Sequence, residues 1–432
     1  MNPTGPEIWL ETRAIKRSSL LTPQEFALLE CIVRGTLEGD RDSLTQKRLA
    51  DGIGIPSAKQ IGVIGTRLRA KLATHLAASP DAQVVRIELP ERGYEARFSY
   101  RHESPGLSAA AQNLLTNART AIDQRSLPGA ATALKFLREA LAHDPGHPRL
   151  VALKAYCYST RALFGTHPRA DLERAETILR QSSASVPLVW ERAFSEACVR
   201  MALYWDWAGA PDLFEQAITL GGSEAQRQPW YCAFLAARGR AAEAVSHLQL
   251  AVTRFHDSPV ARADLAVNQI MAGYYDEAED TIQTAMQLFG ARAHYLLWVH
   301  RAILEEATGR PEAAVTTLRQ VPLRWPQTSI TLGLRALFSG LAGDRRSARR
   351  HFFKLRAARA VAGTFVPAAQ LCGAAFGAGD TAAAFHWLRE GALVERDPNL
   401  LLANVYPFFR HRRREQAFRE VAVDAMGLPH PD

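Results

Sequence analysis

The stretch Met271–Phe289, MAGYYDEAEDTIQTAMQLF, decides the fold. Gly273 is followed by Tyr274, and then Ala278, Ile282 and Ala285 stand five, nine and twelve residues after the glycine. Working outward, the same offsets return from Gly239 (Ala244, Leu248, Ala251), Gly309 (Ala314, Leu318, Val321), Gly343 (Ala348, Phe352, Leu355) and Gly379 (Ala384, Leu388, Gly391). The glycines are 34, 36, 34 and 36 residues apart. Each glycine lets the chain turn sharply between two helices. Residues at +5, +9 and +12 then share one face of the second helix. Alanine at +5 lets the paired helix come close, and the larger residue at +9 fills the groove beside it. One hairpin cannot bury its own apolar face, so neighbours must stack.

Upstream the same register continues with weaker turns. Trp205-Asp206 precedes Ala210, Phe214 and Ala217; Ala170-Asp171 precedes Ala175, Leu179 and Ser182; Pro128-Gly129 precedes Ala133, Leu137 and Ala140. The expectation is eight hairpins from about Ser108 to the end, residues 108–432, with an irregular pair in the long interval between 128 and 170. On these residues the region resembles the tetratricopeptide (TPR) repeat family, and YWDWAGAPDLFEQAITL (204–220) and GDTAAAFHWLREGALVERDP (379–398) look like repeats of bacterial proteins of this kind. The resemblance implies a TPR-like all-α solenoid whose concave groove holds a peptide, a protein segment or another repeat.

Residues 20–100 obey other rules. LLTPQEFALLECIVRG (20–35) opens with a capping Thr22 and a proline at the first helical position, and Phe26, Leu29 and Ile32 recur at helical spacing. A second short helix fits Thr45 to Gly52, and Pro56 and Ser57 start a third that runs to about Ala78. VVRIEL, the turn PERG and YEARFSY alternate with period two and predict a hairpin. Three helices and a hairpin is the winged helix-turn-helix order. LTPQEFALLE (21–30) and TRLRAKL (66–72) resemble the OmpR/PhoB-type winged helix, and VRIELPERGYEARF (85–98) resembles the wing of winged helices that bacteria fuse to repeat or sensor domains. The usual wing reads LPxGxY; here Glu91-Arg92 adds one residue before Gly93, and Arg97 stands where the family often has an apolar residue or proline.

The fold class expected is therefore mainly α. Residues 1–104 form an α+β winged helix-turn-helix, and 108–432 form the repeat domain, with an exposed joint at Arg101–Gly106. On the third helix, Ile61, Ile64, Leu68 and Leu72 make the packing stripe. Lys59, Val63, Thr66, Arg67 and Lys71 lie outside it and Arg69 at its flank, with no acid between Gly52 and Pro80. Such a helix fits the major groove, where arginine reads guanine and Thr or Val meets a thymine methyl. By the family resemblance, Arg92 and Arg97 on the wing would meet DNA backbone or minor groove.

The chain has 432 residues, 47% hydrophobic and 22% charged, a formal charge of +8 and a pI near 9.4, which permits a polyanionic partner without demanding one. Residues 1–104 carry 15 basic and 13 acidic residues, only +2. The basic run Arg345–Arg359 reads as a solvated helix face, and FFRHRRREQAFRE (408–420) as a charged cap on the solenoid. Trp205 and Trp207 read as packing residues. Cys31, Cys157, Cys198, Cys232 and Cys372 lack CxxC spacing and read as buried thiols in a reducing compartment. MNPTGPEIWLETR has no signal-peptide pattern, and the uncharged run Ala360–Gly379 keeps the repeat register, so a cytoplasmic protein without a membrane span is expected. No metal spacing, phosphate loop or catalytic elbow occurs, so no cofactor and no enzyme activity are expected. The leading expectation is a transcription regulator whose winged helix binds double-stranded DNA. Its repeat domain would take a signal, a protein or peptide partner, or a second copy in a homodimer. The alternative is an interaction scaffold whose winged helix does not bind DNA.

Overall fold

A computed structural model describes residues 5–17, 20–78, 85–90, 93–100, 107–163, 167–182, 189–221, 228–254, 256, 258–321, 329–361 and 366–429. The expected joint at Arg101–Gly106 lies outside them, as does Arg92. Contacts divide the chain into two units: Met1–Leu107 with Gly146–Arg149 and Ser182–Trp190, and the remainder from Ser108 to Asp432.

In the first unit, α1 (Gly5–Arg17) precedes the three expected helices, α2 (Pro23–Glu38), α3 (Gln46–Gly52) and α4 (Ala58–Ala78), which are followed by strands β1 (Val85–Glu88) and β2 (Arg97–Tyr100). Helix α2 starts where the sequence says it should. The Thr22 hydroxyl accepts from the Glu25 amide at 3.3 Å, and the Glu25 carboxylate accepts from the Thr22 amide at 2.8 Å, a reciprocal cap of about 1 kcal/mol. Leu28, Leu29, Ile32 and Val33 of α2 meet Ile61, Leu68 and Leu72 of α4 in one core, closed by Val85 and Ile87 of β1. Helix α1 is an element that the sequence pattern does not announce. Ile8 and Ile15, two turns apart, are its buried anchors.

The hairpin differs from its expected form. β1 and β2 pair antiparallel with Val85 opposite Tyr100 and Glu88 opposite Arg97, so the second strand begins at Arg97 and not at Tyr94. Tyr94 and Ala96 leave the ladder for a physical reason. The Tyr94 hydroxyl accepts from Gln46 Nε2 at 3.4 Å, and the Ala96 amide donates to Thr36 Oγ1 at 3.0 Å. Both remain buried, so the period-two alternation reported burial correctly and strand length incorrectly.

The second unit is a run of antiparallel helix pairs: α5 (Ala109–Ile122) with α6 (Leu127–His143), α7 (Pro148–Ala162) with α8 (Pro168–Gln181), and α9 (Trp190–Leu203) with α10 (Ala210–Gly221). Then come α11 (Pro229–Ala237) with α12 (Ala241–Arg254), α13 (Pro259–Met271) with α14 (Tyr275–Phe289), and α15 (Leu296–Ala307) with α16 (Pro311–Arg319). The run closes with α17 (Ser329–Leu341) and α18 (Arg345–Ala360), then α19 (Ala368–Ala378) and α20 (Thr381–Arg389). Gly239, Gly273, Gly309, Gly343 and Gly379 all have φ between 75° and 85°, the left-handed conformation that ends the first helix of each pair. The alanines at +5, including Ala133, Ala175 and Ala210, are wholly buried. The large residues at +9 are buried too, and at +12 Val321 and Ser182 are only half-buried. Pro128-Gly129 and Ala170-Asp171 are not turns; they fall in the first turns of α6 and α8.

The repeat ends at α20, earlier than expected. The chain continues through a π-helical turn Glu390–Glu395, 3-10 turns Pro398–Leu402 and Pro407–Phe409, the short α21 (Gln416–Arg419) and a second π turn Glu420–Ala425. This C-terminal segment is no charged cap. Leu400, Leu401, Phe409, Phe418, Val421 and Met426 are buried.

Candidate functional site

Two places in the chain carry candidate chemistry, one in each unit. On α4 the packing stripe turns Ile61, Leu68 and Leu72 inward, with Ile64 partly buried. Helical geometry then brings Lys59, Val63, Thr66 and Arg67 together on the opposite face, where all four are exposed, the apolar Val63 at 55%. Among the described residues, neither Lys59 nor Arg67 makes a side-chain hydrogen bond or ion pair. Thr66 Oγ1 donates to the Gly62 carbonyl of its own helix at 2.9 Å.

The other two cations of α4 are spent inside the unit. Arg69 Nε donates to the Pro90 carbonyl at 2.7 Å and its Nη2 to the Gly93 carbonyl at 2.9 Å, while the guanidinium lies 5.4 Å from the centre of the Tyr94 ring. Lys71 meets the buried Glu25 carboxylate at 2.7 Å, and that contact with the Thr22 hydrogen bonds holds the carboxyl below its usual range although burial alone would raise it. Arg97 is exposed at the start of β2. Gly65, which weakens an isolated helix, is where the Tyr94 ring approaches: a Cβ there would stand 3.0 Å from Tyr94 Cε1. Lys47 and Arg48 on α3 are two further exposed cations that the sequence reading passed over; the KR pair in TQKRLADG was their only signal.

In the second unit the C-terminal segment meets the first helices of several hairpins. Asn404 Nδ2 donates to the Ala237 carbonyl at 3.2 Å, Arg410 pairs with Glu306 at 3.4 Å, and the Phe408 ring meets Phe338 edge-on. Trp205 Nε1 donates to the Ala392 carbonyl at 3.1 Å and Trp207 Nε1 to the Met426 carbonyl at 2.6 Å, so both tryptophans are packing residues with a polar anchor. The surface expected to hold a partner's segment is covered here by the chain's own. Of the arginines read as a cap, Arg412 lies 5.0 Å over the Phe376 ring and Arg413 donates to the Tyr406 carbonyl at 2.6 Å. The Arg345–Arg359 run matches its expected exposure except at the end, where Arg359 joins Glu395 and the Val366 carbonyl.

Between these first helices and the C-terminal segment lies a half-open cavity of about 190 Å³. Its walls are largely aliphatic and aromatic, and Arg125, Asp264, Asn268 and His300 converge on it. Arg125, at a left-handed φ of 47° before the Ser126 cap of α6, is ion-paired with Asp264 of α13. Four of the five cysteines are buried, and their surroundings raise every thiol pKa. Among the described residues no cluster of His, Cys, Asp or Glu could hold a metal, and no helix is long and apolar enough to cross a membrane.

No family model matches the chain, and no curated protein matches it. Solved structures do align with it. A tetratricopeptide repeat protein from Parabacteroides merdae is 16% identical over 62% of this chain and 99% of that one, with a TM-score of 0.41. The APC/C hetero-tetramer Cut9–Hcn1 is 13% identical over 97% and 74%, with a TM-score of 0.46. Yeast Tom70 is 12% identical over 96% and 87%, with a TM-score of 0.41.

Proposed function

We propose that the chain is a TPR-type interaction scaffold carrying a winged-helix unit at its N-terminal end. The observation that carries this reading is how the hairpins spend their side chains. The +5 and +9 residues are consumed in helix–helix packing, and the outward faces of the second helices keep large apolar residues in water, Leu250 at 68%, Leu288 at 56% and Phe353 at 60% exposure. Exposed apolar side chains on three of the hairpins support a protein-binding surface. The test is cross-linking of the tagged full chain in its native cells, compared with Leu250→Glu and Phe353→Glu. A stoichiometric partner lost in both variants, at unchanged melting temperature, supports the scaffold. A partner profile identical in wild type and variants rejects this surface.

The solvent-facing set Lys59, Val63, Thr66 and Arg67 favours a second reading, in which α4 enters the major groove of duplex DNA and Arg97 meets the backbone. The set combines two cations, a hydroxyl and a branched apolar residue on one face, the types that meet phosphate, base edge and thymine methyl. Electrophoretic mobility with a randomised duplex library at low salt tests it. Enrichment of one sequence makes the scaffold a regulator; the absence of any shift removes DNA from the reading.

A further inference from the structure

The cavity inside the second unit has a composition that the scaffold reading does not use. Leu334, Leu337, Val299, Ile303, Leu400 and Phe409 are among its walls, drawn from α15, α17 and the C-terminal segment. Two polar groups in this apolar lining present unmatched acceptors. Asn268 of α13, 3% exposed, donates Nδ2 to the Asp264 carbonyl at 2.9 Å; because a carbonyl can only accept, the amide orientation is fixed and Oδ1 is left over. That Oδ1 has no hydrogen-bond partner among the described residues. His300 of α15, 6% exposed, has Nδ1 at 2.7 Å from the Ala263 carbonyl, which places the proton on Nδ1 and the lone pair on Nε2. Burial lowers the His300 pKa to about 4, so the ring is neutral at pH 7 and Nε2 accepts. No described residue donates to it.

Arg125, the one cationic side chain among the described lining residues, is matched by Asp264, so those residues carry no spare charge for an ion. Left buried without a donor, Asn268 Oδ1 costs about 1–3 kcal/mol, and an apolar molecule bearing an O–H or N–H recovers it. The size is right for one ring: an apolar cavity of about 150 Å³ in another protein takes benzene. We propose that this cavity binds a small uncharged aromatic molecule carrying a hydrogen-bond donor, of the phenol or indole type, with its ring against the leucines and its donor on Asn268 or His300. Pro398–Leu402 and Phe408–Phe409 contribute to the wall, so the bound molecule touches the C-terminal segment and the hairpins at once. The site is independent of what the outer repeat faces bind.

The test is thermal denaturation and calorimetric titration of the full chain with phenol, indole and toluene. Phenol and indole raise the melting temperature with concentration. Phenol binds about three- to ten-fold more tightly than toluene, the value of one neutral hydrogen bond. Asn268→Leu removes one acceptor and His300→Phe the other; the variant that loses the donor's partner binds phenol and toluene alike. Val267→Phe, placed on the lining, abolishes binding of all three while the protein stays folded. The proposal is overturned if phenol gives no shift, if wild type binds phenol and toluene equally, or if Val267→Phe binds as wild type does.

Discussion

Replacing Gly377 by alanine, a change that normally strengthens a helix, is expected to weaken this protein. Gly377 lies on α19, the first helix of the last hairpin, and faces α17, the first helix of the hairpin before it. A Cβ at Gly377 would stand 2.6 Å from Leu337 Cα, and one at Gly340 would stand 2.5 Å from the Gly377 carbonyl carbon. Ordinary Cβ contact begins at 3.4 Å and the Ala336 carbonyl oxygen lies closer still than Leu337 Cα, so the helices must part by at least about 0.8 Å, and the obstacle is backbone that cannot rotate aside. A gap of 0.5–1 Å forfeits a quarter to a half of each contact across the interface, where Ala336 and Leu337 are buried. Overpacking of this kind costs about 3 kcal/mol, and the better helix propensity of alanine returns about 1 kcal/mol, leaving a net loss of about 2 kcal/mol. Gly373, one turn earlier on the same helix, is the internal control. Its Cβ would meet Leu337 Cδ2 at 3.7 Å, ordinary contact, so Gly373→Ala keeps the propensity gain of about 1 kcal/mol. The two alanine variants should therefore differ by about 3 kcal/mol. Urea denaturation followed by far-UV circular dichroism measures it, and hydrogen exchange of peptides from α17 and α19 localises it. If Gly377→Ala proves as stable as Gly373→Ala to within about 0.5 kcal/mol, the close backbone packing described here is wrong.

Gly239 has φ 75° and nothing within 4 Å of its Cβ position, so Gly239→Ala should cost only the left-handed penalty of about 1–2 kcal/mol; a loss beyond about 3 kcal/mol in chemical denaturation would mean the turn is sterically filled. His300 has its pKa lowered to about 4 by burial, against 6.5 when exposed, so its stabilising contribution is complete above pH 6.5 and is lost as pH falls from 6.5 to about 4. Over that window wild type should lose about 3 kcal/mol more than His300→Gln, and a stability difference that does not change between pH 7.5 and 4 would contradict the neutral, buried ring. Arg69→Ala should lower the melting temperature by releasing the Pro90 and Gly93 carbonyls, whereas Lys59→Ala with Arg67→Ala should leave it unmoved and, where the protein binds duplex DNA, weaken that binding at least about ten-fold; equal melting losses would mean the two classes were wrongly separated.

The repeat was legible because its signal is local. A glycine at φ near 80° and an alanine five residues on are demands of one turn and one helix pair, so they recur in the chain at fixed offsets. The fate of the α4 cations was not legible. Arg69 and Lys71 differ from Arg67 only in what lies opposite, a carbonyl 21 residues later for Arg69 and a carboxylate 46 residues earlier for Lys71. Gly65 misled for the same reason: propensity counts its cost to the helix, while its use is the space it leaves to Tyr94. The arginines of residues 408–420 looked like a solvated cap because composition carries no information about long-range partners. The cavity could not be read at all, since its walls come from hairpins far apart in sequence.

The C-terminal segment also accounts for a place where the repeat breaks its own rule. An array of stacked hairpins touches only nearest neighbours, so its stability is a sum of local terms. Here Arg169 reaches the Val394 carbonyl, Trp205 the Ala392 carbonyl and Trp207 the Met426 carbonyl, across 225, 187 and 219 residues. Those bonds tie early hairpins to the end of the chain and make separate opening of the hairpins between them unfavourable. Trp205 occupies the register position that glycine holds in the later repeats, and it takes the glycine's left-handed conformation, φ 55°, at a cost of about 1–2 kcal/mol. A glycine there would avoid the cost and lose the anchor. The indole donates to the segment, and its ring lies 5.7 Å from the guanidinium of Arg396, itself at φ 53°. Two residues held in an unfavourable backbone conformation face each other where the segment meets the array, so the departure from the repeat marks the docking point that the repeat pattern alone could not reveal.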